Sequence, residues 1–537
     1  MKAHAPRHDR DAPRVHRACT CCAIIDTPSA ISNVMPSTLH ELLARADAAA
    51  PALAAPGRTP MNHGALRELV QRTLAALNAG GIGRNDRVAI VLPNGPEMAA
   101  CFLACASGVT SAPLNPAYRA EEFEFNLSDL GAKALIVEAG SSSPAIEVAR
   151  RLGVRVIELH AGEAAGEFTL RGLPAATAAA QGGFSQPQDV SMVLHTSGTT
   201  SRPKIVPLSQ ANLAASAQNI GATLQLSPAD RGLVIMPLFH IHGLIAGVLS
   251  PLAAGGSVFC TPGFNALKFF AWMDEAAPSW YTAVPTMHQA IIARASKNRE
   301  VIARHPLRFM RSSSSSMPPQ VIKELEAIFE APLIEAYGMT EATHQMCSNP
   351  LPPAARKPGS VGPCAGPEVA IMDEAGQLLP RGAIGEIVIR GANVTAGYKA
   401  NAKANAEAFT NSWFRTGDQG QMDADGYVSL TGRLKEIINR GGEKISPREV
   451  DEILMDHPAV AQVVCFGMPH DKLGEEVAAV VVLREGQSAT ERELQAFVAQ
   501  RAAEFKVPRK ILLMDEIPKG ATGKLQRIGL AAKLGLA

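Results

Sequence analysis

Between residues 36 and 190 the chain alternates short, unbroken apolar runs with longer segments whose apolar positions recur every three or four residues. The runs at 88–92 (VAIVL), 134–137 (ALIV) and 154–159 (VRVIEL) read as strands. The segments at 66–78, 97–106 and 121–130 carry the helical period. Strand alternating with helix predicts βαβ units and a largely parallel sheet, since a parallel connection needs a crossover and a helix supplies it. Ala-rich stretches around 48–55 and 175–180 read as helix ends and surface loops. Near the C-terminus the pattern shortens. Ser446-Pro447-Arg448-Glu449 offers an N-cap, a proline at the first helical position and a capping-box glutamate, and Thr490 with Glu493 repeats the signal ahead of a helix to about Ala503. A small α+β domain beginning near Arg433, jointed at the turn around Gly432, fits this change.

Composition narrows the class. At 537 residues, with 47% hydrophobic and 19% charged, the chain can bury large cores and is too long for one. Residues 232–267 carry no Asp, Glu, Lys or Arg, yet Pro237, Pro251, Pro262 and the Gly255-Gly256 pair interrupt them, so they read as buried core and not as a membrane span. Lys plus Arg total 51 against 50 for Asp plus Glu, which leaves no field to draw a nucleic acid or an anionic membrane. The 9 cysteines show no disulfide spacing and suit scattered core positions in a reducing compartment, by default the cytoplasm. Residues 1–35 are rich in Arg and His and hold Cys19, Cys21 and Cys22. They lack periodicity and a second spaced pair of metal ligands, and read as a disordered leader.

A strand-like run at 192–195 leads into TSGTTSRPK at 196–204. Gly198 lets backbone N–H groups approach a phosphate, the hydroxyls of Thr196, Ser197, Thr199 and Thr200 add donors, and Lys204 adds a mobile charge. The segment is no P-loop, because GxxxxGK[ST] is absent. By composition alone such a loop is more often just a turn.

Four further motifs follow: YGMTE at 337–341, WFRTGD at 413–418, GRLKEIINRGGEKISPREVD at 432–451 and PKGATGKLQR at 518–527. With TSGTTSRPK they stand in the order and spacing of the adenylate-forming superfamily, which the chain resembles from about residue 38 to its end. The resemblance implies a large α/β N-terminal body with mixed or parallel sheets flanked by helices, at 36–432, and a small mobile α+β C-terminal domain at 433–537. It also implies ATP, Mg2+ and coenzyme A. By that resemblance the loop from Thr196 to Thr200 grips the β- and γ-phosphates, with Lys204 beside it. Tyr337, between Ala336 and Gly338, stacks on adenine. Thr340 contacts the α-phosphate, Glu341 holds Mg2+, and Asp418 takes the ribose hydroxyls with help from Arg433. Lys524 bridges the attacking carboxylate and the α-phosphate. A hinge at Lys435 then turns the small domain so that Arg440, Gly441 and Gly442 line the pantetheine path.

The acyl pocket is more particular. His242 in PLFHIHG, His344 in MTEATH and Ser313 and Ser314 in the run 312–316 stand where relatives with apolar substrates carry apolar or small residues. A hydrocarbon tail would strand these groups at about 1–3 kcal/mol each, whereas a second carboxylate would satisfy them. The alternative is that each packs with internal partners. His240 is placed to gate or orient the carboxylate, and Arg311 at the pocket rim or on the surface. PLFHIHGL, EAYGMTEATH, MCSNPLP and INRGGEKISPREVD resemble the oxalate-CoA ligase branch, with Gly338 where that branch often has Ala. The implied activity is an ATP-dependent acid-CoA ligase acting on oxalate or another short dicarboxylic acid, as a monomer or homodimer. The alternatives are a medium-chain or aromatic acid-CoA ligase, transfer to a separate carrier protein, and a catalytically silent nucleotide-binding homologue.

Overall fold

In the N-terminal sheet successive side chains enter different cores. Val88, Ile90, Ala134 and Ile136 pack with Leu74 and Phe102, while Ala89, Val91, Leu135 and Val137 pack with Phe123, Leu127 and Val148. Burial on both faces is why these strands read as continuous apolar runs. The computed structural model describes residues 35–173, 178–196, 203–518 and 525–537. In this seven-stranded sheet Arg87–Val91, Thr110–Pro113, Ala134–Glu138, Arg155–Ala161 and Val190–Thr196 run parallel. Phe168–Arg171 and Lys204–Ser209 close its edges antiparallel.

A second sheet of eight strands sets a parallel run, including Arg231–Val234, Trp280–Ala283, Phe309–Ser312 and Leu333–Met339, between antiparallel edges at Met61–Asn62 and His344–Ser348. A five-stranded sheet built from Glu368–Met372, Ile384–Arg390, Phe409–Thr410, Trp413–Met422 and Val428–Arg433 is antiparallel throughout. The last sheet, also of five strands, backs Val463, Cys465, Val477 and Ala479 onto Val450 and Leu454 of helix Pro447–Met455 and Leu494 and Val498 of helix Glu491–Ala499. The fold is the expected large mixed α/β body with a smaller C-terminal α+β domain.

Several local expectations change. Pro51–Ala54, expected to be a helix end or loop, is a strand paired in parallel with Ser257–Cys260, with Ala52 and Leu53 fully buried. Tertiary pairing overrides alanine's helical propensity there. Ser446 does cap its helix by position, but its hydroxyl donates to the Thr431 carbonyl, and Glu449 takes Lys506 at 2.6 Å, so no capping box forms. The Thr490–Glu493 box is complete, and its helix stops at Ala499 instead of about 503, with a 3-10 turn following at Glu504–Lys506. Most of the uncharged stretch is interior as expected, including a π-helix, His242–Leu249, whose residues are all buried, but its end is not: Pro262, Asn265 and Leu267 are exposed. Among the described residues no helix is long and apolar enough to cross a membrane.

Candidate active site

Strand Leu333–Met339 and its neighbour His344–Ser348 carry both halves of the site. Between them lies the short turn Thr340–Ala342, with Thr343 at φ 51° and His344 at φ 97°. The register slips between Tyr337 and Gly338, and a Cβ at Gly338 would stand 1.7 Å from the His344 carbonyl oxygen. Glycine is therefore what lets the two strands close to this distance, and alanine at 338 requires the His344 backbone to move.

Among the residues expected to hold the nucleotide, the Tyr337 hydroxyl donates to one Asp418 oxygen, and Arg433 Nε reaches the other at 3.0 Å. Asp418 and Arg433 are cross-strand partners, which fixes the pair. Glu341 is buried and accepts the Tyr398 hydroxyl at 2.9 Å, while Lys204 Nζ lies 4.6 Å from the centre of the Tyr398 ring. Burial raises the Glu341 carboxyl above its ordinary range, against the opposing pull of Tyr398, Arg433 and Lys204. Thr196 and Lys204 face each other where the hairpin of Val190–Thr196 and Lys204–Ser209 opens. Ser197, Gly198, Thr199, Thr200 and Lys524 lie outside the described residues.

Glu341 tests the fit of Mg2+. It is a buried carboxylate with acceptor capacity beyond the Tyr398 bond, and the described residues hold no group of three or more His, Cys, Asp or Glu placed as a metal cage. Mg2+ keeps its own waters and takes phosphate oxygens, so one carboxylate suits it.

Among the residues expected at the acyl pocket the structure corrects one expectation outright. Arg311, expected at the rim or the surface, is fully buried at the centre of the cluster. Its Nη1 donates to His344 Nε2 at 3.1 Å and lies 3.4 Å from both His242 Nε2 and Thr282 Oγ1, and its Nη2 donates to Gln345 Oε1 at 3.2 Å. The His242 and His344 rings stack with centroids 4.8 Å apart. His242 also bonds Thr282 Oγ1 at 2.6 Å and Ser314 Oγ at 3.1 Å. The hydroxyls of Ser312 and Ser313 and Arg311 Nε are buried without a hydrogen-bond partner among the described residues. Ser314 is half-buried, at φ 74°. His240 accepts the His242 backbone N–H at 3.2 Å and so shapes the entry to the π-helix. Sequence reasoning missed Thr282, Gln345 and Tyr398, none of which sits in a motif it used.

Lys435 is exposed just past strand Val428–Arg433. Arg440 Nε pairs with Glu476 at 2.6 Å, and Gly441 and Gly442, at φ 59° and 100°, make the tight turn into Glu443–Ile445. Glu335, two residues before Tyr337, is buried near Arg448 and Glu452, and burial pushes its carboxyl up to about 8. Its ordinary value is 4.5, so folding favours the protonated form, and the associated stability is present below 4.5 and lost as pH rises through about 8. Wild-type protein should lose up to about 1.4 kcal/mol of stability per pH unit across that window from this group. Glu335→Gln should remove that slope, and urea unfolding from pH 5 to 8 measures the difference. Parallel wild-type and variant curves would show that the carboxyl ionises normally.

Comparison with known proteins agrees with this geometry. The AMP-binding enzyme family model matches residues 41–399, and the model of the AMP-binding enzyme C-terminal domain matches 449–524. An oxalate–CoA ligase from Arabidopsis thaliana is 46% identical over 484 residues, covering 89% of this chain and 94% of the plant protein. An oxalate–CoA ligase from Saccharomyces cerevisiae is 43% identical over 475 residues, covering 83% of this chain and 87% of the yeast protein. The crystal structure of ATP-bound MatB from Rhodopseudomonas palustris superposes with a TM-score of 0.82 at 28% identity, over 92% of this chain and 97% of that one. With a family model spanning most of its length, the chain belongs to the AMP-binding enzyme family.

Proposed function

We propose that this AMP-forming acid-CoA ligase takes oxalate as its acid. The enzyme uses ATP, Mg2+ and coenzyme A. In the first half-reaction an acid carboxylate oxygen bonds to the α-phosphorus of ATP and pyrophosphate leaves. In the second, the thiol sulfur of coenzyme A bonds to the acyl carbon and AMP leaves. The observation that carries the choice of acid is the buried Arg311 guanidinium, which bonds only His242, Thr282, His344 and Gln345 among the described residues and lies beside the unpartnered hydroxyls of Ser312 and Ser313. A buried cation without an anion calls for a ligand that brings one. Two relatives named as oxalate–CoA ligases, at 46% and 43% identity, support the same acid.

Within this reading Tyr337 packs on adenine, Asp418 holds the ribose, and Thr340 and the 196–200 loop face the phosphates. When bound at Glu341, Mg2+ supplies positive charge to the phosphate oxygens. Lys524 supplies the ammonium at the reacting phosphorus. His240 orients the acid through the backbone of His242. We place the domain boundary at Gly432–Arg433 and the hinge at Lys435, with Arg440, Gly441 and Gly442 on the pantetheine path. The buried cysteines Cys101, Cys260 and Cys465 form no disulfide, which supports a reducing compartment, the cytoplasm.

A pyrophosphate-release assay over oxalate, malonate, hexanoate and cinnamate tests the acid. Oxalate should lead, and His242→Ala and His344→Ala should each lower kcat/KM for oxalate about 10-fold more than for a monocarboxylate, the scale of a lost charge-linked hydrogen bond. Hexanoate or cinnamate outrunning oxalate would return the pocket to an apolar acid. No release with any acid would mark a silent homologue.

A further inference from the structure

Arg311 is embedded in neutral acceptors: two imidazoles, a threonine hydroxyl and a glutamine carbonyl. A guanidinium only donates, so each hydrogen bond it makes runs outward from it. With Arg311 Nη1 donating, His344 Nε2 must present its lone pair. Thr282 Oγ1 lies 3.4 Å from the same Nη1 and 2.6 Å from His242 Nε2, so Thr282 accepts from Arg311 and passes its own proton on to His242. His242 Nε2 is then an acceptor as well, which leaves the ring proton on Nδ1, 3.1 Å from Ser314 Oγ. Ser314 accepts from His242, and its own O–H points onward as a donor. Burial increases along this series toward its source: Ser314 is half-buried, and His242 and Arg311 are fully buried.

We propose that Arg311 sets the polarity of the acyl pocket: this buried cation makes Thr282, His242 and Ser314 donate in one direction, so that the pocket offers donors to a second carboxylate and rejects a group that must itself donate. Arg311 is a positioning residue that acts through His242, Thr282 and Ser314. The inference rests on the oxalate reading and extends it to a rule of selection: the group beyond the reacting carboxylate must be an acceptor on every side. Ionised oxalate meets that rule. Oxamate has nearly the same shape and one reactive carboxylate, but its amide end is uncharged and carries two N–H donors, which would face donors here. Desolvation draws the Arg311 guanidinium down to about 9, as expected for a cation buried among uncharged acceptors.

The test is the ratio of kcat/KM for oxalate to that for oxamate, read by pyrophosphate release, in wild type and in Arg311→Lys, Arg311→Gln, Thr282→Val and Ser314→Ala. ATP affinity and melting temperature are measured alongside. Wild type should favour oxalate about 100-fold, the size of discrimination reached when buried polar groups go unpaired. Arg311→Gln, whose amide accepts as readily as it donates, should lower the ratio at least about 10-fold. Arg311→Lys keeps a donor-only charge and should retain most of it. Thr282→Val and Ser314→Ala remove a relay and a terminal donor without touching the cation, and should each lower the ratio about 5-fold, so the inference stays testable if Arg311→Gln does not fold. A purely structural arginine predicts that Arg311→Gln slows both acids equally at an unchanged ratio, and that result overturns the inference. So does a wild type that uses oxalate well yet prefers it to oxamate less than about five-fold, while the oxalate reading survives. A wild type that ignores oxalate overturns both.

Discussion

Replacing Lys524 by Ala is expected to lower acid-dependent pyrophosphate release about 10²- to 10³-fold, the loss typical of removing one preorganised electrostatic group from a reacting centre. The described charges of the nucleotide site explain why so much rests on one side chain. Asp418 is committed to Tyr337 and Arg433, and Glu341 to Tyr398, with Lys204 resting against the Tyr398 ring. Among the described side chains two carboxylates thus face two cations, which leaves no surplus positive charge beyond what bound Mg2+ would bring for a phosphorus that gains negative charge as the acid attacks. In the proposed role the Lys524 ammonium would supply it, and an interaction that strengthens as charge accumulates lowers the barrier more than it tightens ATP binding. Three residues later, Arg527 bonds Asp451 and lies 3.3 Å from Glu436, so the end of this motif is tied to the residue following Lys435. Rotation at Lys435 would carry the motif with it. The two half-reactions should therefore separate: Lys524→Ala should fail to make acyl-adenylate from oxalate and ATP, yet convert supplied acyl-adenylate and coenzyme A to thioester at close to the wild-type rate. Undiminished pyrophosphate release would remove Lys524 from the chemistry.

What could be read from the sequence was what is local. The runs at 88–92 and 134–137 sit between two cores, so their register with neighbours does not alter their pattern, and the motif residues Tyr337, Glu341 and Asp418 do come together. What failed depended on partners far along the chain. Pro51–Ala54 is a strand because Ser257–Cys260 lies beside it, and nothing within the alanine-rich segment announces that. The capping box read at Ser446 does not form, although Ser446 is the N-cap, because the Thr431 carbonyl takes its hydroxyl. Arg311 looked like a charge at the pocket rim or on the surface because arginines are mostly exposed. Its burial follows from His242, Thr282, His344 and Gln345, brought together by a π-helix and the four consecutive strands from Trp280–Ala283 to His344–Ser348. Glu335 is similar: its raised carboxyl reflects burial near Arg448 and Glu452 of a later helix. In both cases the chemically unusual group takes its environment from other elements of the chain, which no local pattern announces.

Asp418→Ala should weaken ATP binding about 100-fold and leave the KM for oxalate within a few-fold of wild type. Each carboxylate oxygen can accept two hydrogen bonds, and in this structure one bond per oxygen is taken, by Tyr337 on one side and Arg433 on the other. The remaining capacity matches the two hydroxyls of a ribose, and a bond to a charged acceptor contributes about 1.5–3 kcal/mol. Two such bonds account for a loss of at least that size after ordering costs. The strand pairing of Asp418 with Arg433 holds the carboxylate in place before ATP arrives, so little conformational freedom is lost on binding. Asp418→Asn keeps the shape and one acceptor oxygen and should fall between wild type and Ala. Calorimetric titration with ATP, beside the KM for each substrate and the melting temperature, distinguishes this from simple damage. If Asp418→Ala raised both KM values together as the melting temperature fell, the carboxylate would be a strut between Tyr337 and Arg433 and not the ribose acceptor.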